Sequence, residues 1–280
     1  MEIALLSSIP IKIITYGIPF IYIFLGLNSN LNQIKKLKSN NLQFATGLLI
    51  QLIFLPILGY LISTFYSYSL IASMMFFILI LPGGNISAYL TYIKKGKIEL
   101  SILLTSASTI ISVFLIPIWL KVFFQSNKII NFEVKEILIQ LIVFIFTPFL
   151  LGVIISHTLV KSSYVLKKIL DPTLKFLIIL VSFWVPYDFY EFIKLYFFDG
   201  LLLSIATLLI IYLFLSLILR LFKFEDSIKS TIKLEAITQN FALSLFLSVS
   251  LNIPEILILG IIYYIVSTFF AIIYTFSNKI

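Results

Sequence analysis

Residues 81–92 read LPGGNISAYLTY, and they follow YSLIASMMFFILI, an uncharged run with the composition of a membrane helix. Pro82, Gly83 and Gly84 are among the poorest helix formers available. Asn85, Ser87 and Thr91 come at once behind them, with polar atoms that hydrocarbon cannot satisfy. A chain that breaks its own helix at membrane depth either makes a loop there or builds a site. The rest of the sequence bears on which.

Hydrophobic residues make up 61% of the 280 and charged ones 11%, with a mean hydropathy of +1.13. Soluble domains run near about 25% charged, so the composition is that of an all-α polytopic membrane protein. With no cysteine, disulfides, thiolate metal sites and cysteine catalysis are excluded. No HExxH, P-loop, paired intramembrane aspartates or Ser/His pair occurs, and no enzyme is expected. MEIALLSSIP lacks a basic n-region and a small-residue cleavage site, so the first apolar segment is expected to be a retained helix.

A spanning helix needs roughly 20 apolar residues. On that ruler nine spans are expected, at about 9–27, 43–64, 70–93, 98–119, 137–156, 169–187, 199–219, 228–251 and 254–276. The third and eighth are the polar, interrupted ones. Lys35, Lys36, Lys38, Lys94, Lys95, Lys97, Lys161, Lys167, Lys168, Arg220, Lys223, Lys229 and Lys279 fall on one side of such a bundle. Only Lys121, Lys128, Lys135 and Lys194 fall on the other, while Lys12, Lys175 and Lys233 lie in or beside helices. By the positive-inside rule the C-terminus is cytoplasmic and the N-terminus outside, in a multi-pass inner (plasma) membrane protein. The net charge of +8 is then a topology signal facing anionic lipid, and no nucleic-acid partner is called for.

Polar groups at depth are the exceptions that matter. Glu235 lies near the middle of the eighth span, with Gln239 one turn on and Asn240 beside it. A carboxylate there is expensive and points to function. Lys233 is a poor partner for it, because residues two apart on a helix do not face each other. In the fourth span Ser101, Thr105 and Ser108 share a face, a pattern that helix packing alone also produces. Gln51, ahead of Pro56 in the second span, is a solitary amide of the kind that often glues helices. Together, one carboxylate, two amides and several hydroxyls are hard oxygen donors suited to a small cation. The only histidine, His157, sits at a helix end. The two interrupted spans are five apart and so run in opposite directions, as in inverted-repeat transporters whose broken helices cross at the midplane.

At PGGNISAYLTYIKKGKIELSILLTSAST, joined with LEAITQN, the chain resembles the bile acid:sodium symporter family, bacterial sodium-dependent transporter type. The shared pattern is a PGG crossover, a Ser/Thr-rich helix after it, a distant Glu-…-Gln-Asn and a Gln ahead of a Pro in the second span. The resemblance implies nine helices, as in the animal members, divided into a panel (1–40 and 136–197) and a core (41–135 and 198–280). It implies one sodium ion held by Ser87, Ser101, Thr105 and Glu235. A second would use Gln51, Glu235 and Gln239 with the backbone carbonyls of Ala236 and Thr238. Asn240 would face the substrate cavity, to which Asn85 and Thr91 are further candidates. Two departures stand out: Ala88 occupies the place of a family Asn that binds sodium, and Ile237 that of a Gly. Asn85, three residues before Ala88, is placed to supply an amide to the first site, which otherwise predicts weaker or single-ion coupling.

The expected function is sodium-coupled symport of a small organic anion by alternating access, by a monomer. Two alternatives stay open: a proton-coupled or ion-independent carrier of the same fold, and a ligand-binding membrane protein that no longer transports.

Overall fold

The computed structural model describes residues 9–29, 41–67, 69–84, 86–127 and 134–277, and the regular elements among them are helices. In lipid every backbone N–H and C=O must be satisfied within the protein, and a helix of Leu, Ile and Phe does this along its own length. The helices are α1 (Ile9–Asn28), α2 (Asn41–Leu49), α3 (Leu55–Phe65), α4 (Leu70–Leu79), α5 (Ile86–Ile93), α6 (Ile98–Asn127) and α7 (Val134–Leu141). They continue with α8 (Thr147–Thr158), α9 (Val160–Asp188), α10 (Tyr190–Leu221), α11 (Asp226–Ile237), α12 (Phe241–Leu251) and α13 (Pro254–Phe276). Five-residue π-helical segments, Ile50–Phe54 and Ile142–Phe146, join α2 to α3 and α7 to α8.

Among the described residues, six stretches are long and apolar enough to cross a membrane: Ile11–Asn28, Leu42–Phe65, Ile98–Gln125, Val134–Thr158, Ile193–Leu221 and Pro254–Phe276. The stretches expected as the third and eighth spans are each two shorter helices, α4 with α5 and α11 with α12. The expected sixth span lies in α9, whose first half carries Lys161, Lys167, Lys168 and Asp171 and which is not among the six. Helix ends also differ from the hydropathy reading: α6 continues to Asn127, α9 starts at Val160 and α10 at Tyr190. Hydropathy marks where a helix meets hydrocarbon, whereas the backbone ladder carries on into polar sequence beyond it.

Packing sorts the helices into two neighbourhoods. In one, α1 lies along α8 and α9. In the other, α13 packs on α4, α10 and α12, α3 on α4, and α11 on α5, α6 and α10. Contacts of α12 with α1 and of α6 with α7 link the two. The α1–α8 crossing is set by two glycines. A Cβ on Gly26 would lie 3.1 Å from the Gly152 Cα, and one on Gly152 would lie 2.9 Å from the Leu27 N. Backbone therefore rests on backbone there, as small residues permit in membrane helix pairs. α12 stops at Asn252, which takes the left-handed conformation with φ 55°, and Pro254 begins α13.

Candidate ion and substrate site

Two chain breaks meet inside the bundle. After α4 the chain runs through Leu81, Pro82, Gly83 and Gly84; after α11 it runs through Thr238, Gln239 and Asn240. Helix ends leave N–H and C=O groups without intrahelical partners, and here the two breaks supply one another. The Gly84 N–H donates to the Thr238 carbonyl at 2.9 Å, and the Asn240 N–H donates to the Pro82 carbonyl at 3.1 Å. Gly83 and Gln239 pair as a single antiparallel bridge. So close an approach needs glycine: a Cβ on Gly84 would fall 2.6 Å from the Gln239 carbonyl oxygen.

The Glu235 carboxylate sits at this meeting point, 1% exposed. Its Oε1 accepts from the hydroxyls of Ser87 (2.5 Å), Ser101 and Thr105 (3.1 Å). Its Oε2 accepts from the Thr105 hydroxyl at 2.9 Å and from the Gln51 amide at 3.1 Å. Gln51 Nε2 also donates to the Glu235 backbone carbonyl at 3.3 Å. Side chains from α5, α6 and the π-helical segment thus converge on one residue of α11. The Ser101 and Thr105 hydroxyls reach it from successive turns of α6, and all five residues are buried. Lys233 takes no part. Its ammonium donates to the Ser216 hydroxyl at 2.7 Å and lies over the Tyr212 ring, 4.5 Å from the centroid.

Two amide oxygens of the expected site residues have no donor: Gln51 Oε1 and Gln239 Oε1 are both buried without a hydrogen-bond partner. A buried acceptor left unmade costs about 1–3 kcal/mol, so a cation is the natural complement to such a pair. Gln239 Nε2 donates to the Ala236 carbonyl at 3.0 Å, while the Thr238 carbonyl is the one that receives Gly84. Among the described residues no three His, Cys, Asp or Glu side chains gather as a metal group. The donor set is oxygen from carboxylate, amide, hydroxyl and backbone, which suits a hard monovalent ion.

The residues expected at the substrate cavity part company. Asn240 caps α12, its Oδ1 accepting from the Leu243 N–H at 3.1 Å, and its Nδ2 donates to the Tyr22 hydroxyl of α1 at 3.3 Å. It also lines a cleft with Gln239, Ser244, Gly260, Tyr263 and Tyr264. Thr91 is buried one turn beyond Ser87, with its methyl group against Gly96 beside the Thr231 hydroxyl, away from that cleft. Asn85 lies outside the described residues. Ala88 is half-buried next to Ser87 on α5. Sequence reasoning missed Tyr22, which nothing in its own surroundings marks, and the Pro82 carbonyl, which no side chain announces.

The sequence matches the pattern of the Sodium Bile acid symporter family over residues 15–191, more than half of its length. The chain belongs to the sodium bile acid symporter family. That match holds Gln51, Ser87, Ser101 and Thr105, and it ends before Glu235. Two rice proteins (Oryza sativa subsp. japonica) are also similar. One, named probable sodium/metabolite cotransporter BASS1, chloroplastic, is 33% identical over 36% of this chain and 25% of its own length. The other, probable sodium/metabolite cotransporter BASS2, chloroplastic, is 26% identical over 50% of this chain and 33% of its own. The matches thus span between a quarter and a third of these relatives. Family membership and the six apolar stretches among the described residues mark the chain as a multi-pass membrane protein.

Proposed function

We propose that this protein carries a small organic anion together with sodium, by alternating access. The observation that carries the reading is two buried amide oxygens without a donor: Gln51 Oε1, on a side chain that donates to the buried Glu235 carboxylate, and Gln239 Oε1, in the break one turn after it. Gln51, Glu235 and Gln239, with the Ala236 and Thr238 carbonyls, form one ion site. Ser87, Ser101 and Thr105 form, with Glu235, the place of a second ion. Their hydroxyls all point at the carboxylate, and Ala88 adds no donor, so this second site is the weaker. The relatives' names speak of sodium/metabolite cotransport, which agrees with this reading.

The third and eighth spans are each a discontinuous helix, α4 with α5 and α11 with α12, related by an inverted repeat in a nine-span bundle. The core comprises 41–135 and 198–280, and the panel 1–40 and 136–197. Bound cations tie the two breaks together and favour the core shape that accepts substrate, because they bind that shape better than the other. The anion enters beside Asn240 when the core moves to open the cleft there, which is water-sized in this structure, and the N-terminus of α12 favours negative charge at that place. The protein works as a monomer in the plasma membrane with its C-terminus in the cytoplasm.

The test is uptake into liposomes containing the purified protein, with substrates first found by a thermal-shift screen of organic acids with and without sodium. Uptake that requires sodium and fails in potassium supports the proposal. Uptake unchanged in potassium overturns it.

A further inference from the structure

The geometry points to Trp119 as the residue that positions Gln51 for the ion, an inference that rests on the sodium reading above. Gln51 lies in the π-helical segment Ile50–Phe54, where the Leu55 N–H reaches back five residues to the Ile50 carbonyl. Such a turn holds one more residue than an α-turn and swings side chains to a new bearing, and such segments are frequent at functional sites. Here the swing brings Gln51 Nε2 onto Glu235.

The segment runs straight into Pro56, at the head of α3. Proline has no N–H to give, and its ring crowds the carbonyl four residues earlier. That carbonyl belongs to Leu52, the neighbour of Gln51. It is answered from another helix: Trp119 Nε1 donates to the Leu52 oxygen at 3.1 Å. Trp119 stands on α6, the same helix that gives Ser101 and Thr105 to the carboxylate. One helix therefore holds both Glu235 and the bulge that aims Gln51. The other π-helical segment, Ile142–Phe146, also runs into a proline, Pro148, and presents only Ile, Val and Phe. A bulge followed by proline is thus not a site by itself; the amide and its indole brace make the difference.

Trp119→Phe keeps the ring and removes the donor. The measurement is the sodium concentration giving half of the sodium-dependent rise in melting temperature, on the purified full chain in choline-balanced buffer. Trp119→Phe should raise that concentration by about tenfold or more, the scale on which outer-shell partners act. The double variant Pro56→Ala/Trp119→Phe gives position 56 an N–H, a main-chain donor four residues on from the Leu52 carbonyl. Its melting temperature in choline should return to the wild-type value while its sodium requirement stays high. Wild-type sodium affinity in Trp119→Phe overturns the positioning role. So does a double variant whose sodium affinity recovers together with its melting temperature. A wild-type protein with no sodium-dependent rise overturns the ion reading, and the role of Trp119 with it.

Discussion

At residues 81–84 the chain offers Leu, Pro, Gly and Gly; at 238–240 it offers Thr, Gln and Asn. Both stretches interrupt helices, and each hydrogen-bonds the backbone of the other. Their contributions differ. Neither Gly83 nor Gly84 has a positive φ, so these glycines serve close approach and not an unusual backbone conformation. The first break supplies room and the second supplies side chains: Gln239 with its unpartnered oxygen, and Asn240 with its cap. Two interruptions of similar shape can therefore divide a site between them, one emptied so that the other has somewhere to reach.

Filling the room is the most severe way to break this division. A Cβ on Gly83 would lie 2.5 Å from Glu235 Oε2 and 2.7 Å from Gln51 Nε2, both held on other sides. Gly83→Ala should abolish sodium-dependent uptake and lower stability by about 1–3 kcal/mol, as overpacking does; calorimetry or a melting curve reads the second effect. The side-chain half is sharpened by Gln239→Leu. Its sodium-dependent rise in melting temperature should vanish. The melting temperature in choline should change little, because removing a buried oxygen without a donor is offset by losing the Nε2 bond to the Ala236 carbonyl. A large fall in choline would make Gln239 a strut instead of a ligand.

Asn240→Ala should cost about 1 kcal/mol through the lost cap of α12. Asn240→Ser should recover most of that in a melting curve, since a hydroxyl also caps, while leaving Tyr22 without its amide donor. The smallest effect is expected where α11 begins. Lys97 pairs with Glu225 at 3.3 Å and, by hydrogen bond and charge, holds its carboxyl below the usual carboxylate range. A depressed pKa in the folded state gives stability that is present above the unfolded value and lost as pH falls through the folded one. Both groups are exposed, so Lys97→Ala should leave the neutral-pH melting temperature unresolved from wild type. Only a faint change in its acid limb is expected.

Cost made part of this legible in the sequence. Glu235, Gln51 and Pro82-Gly83-Gly84 are expensive in a membrane, and the structure brings Gly83 against Glu235 and Gln51, with Pro82 and Gly84 paired to the facing break. Asn240 was visible as polar, but its place just before an apolar run is also an N-cap signal, and capping is what its Oδ1 does. Tyr22 was not legible, because it is one of 15 tyrosines and its partner lies far along the chain. The π-helical turn at Gln51 leaves no mark on hydropathy, which counts apolar residues without seeing the extra one per turn. Backbone carbonyls such as Pro82 and Leu52 carry no letter of their own.

The glycine crossing of α1 and α8 has a mechanical consequence. With the backbone of one helix seated on the other at Gly26 and Gly152, neither slides a turn along its neighbour without main-chain atoms colliding. The pair is a single stiff beam. Any rocking of the rest of the bundle against it has to be absorbed at softer joints. The amide of Asn240, reaching 3.3 Å to the phenol of Tyr22, is one slender contact between that beam and the start of α12.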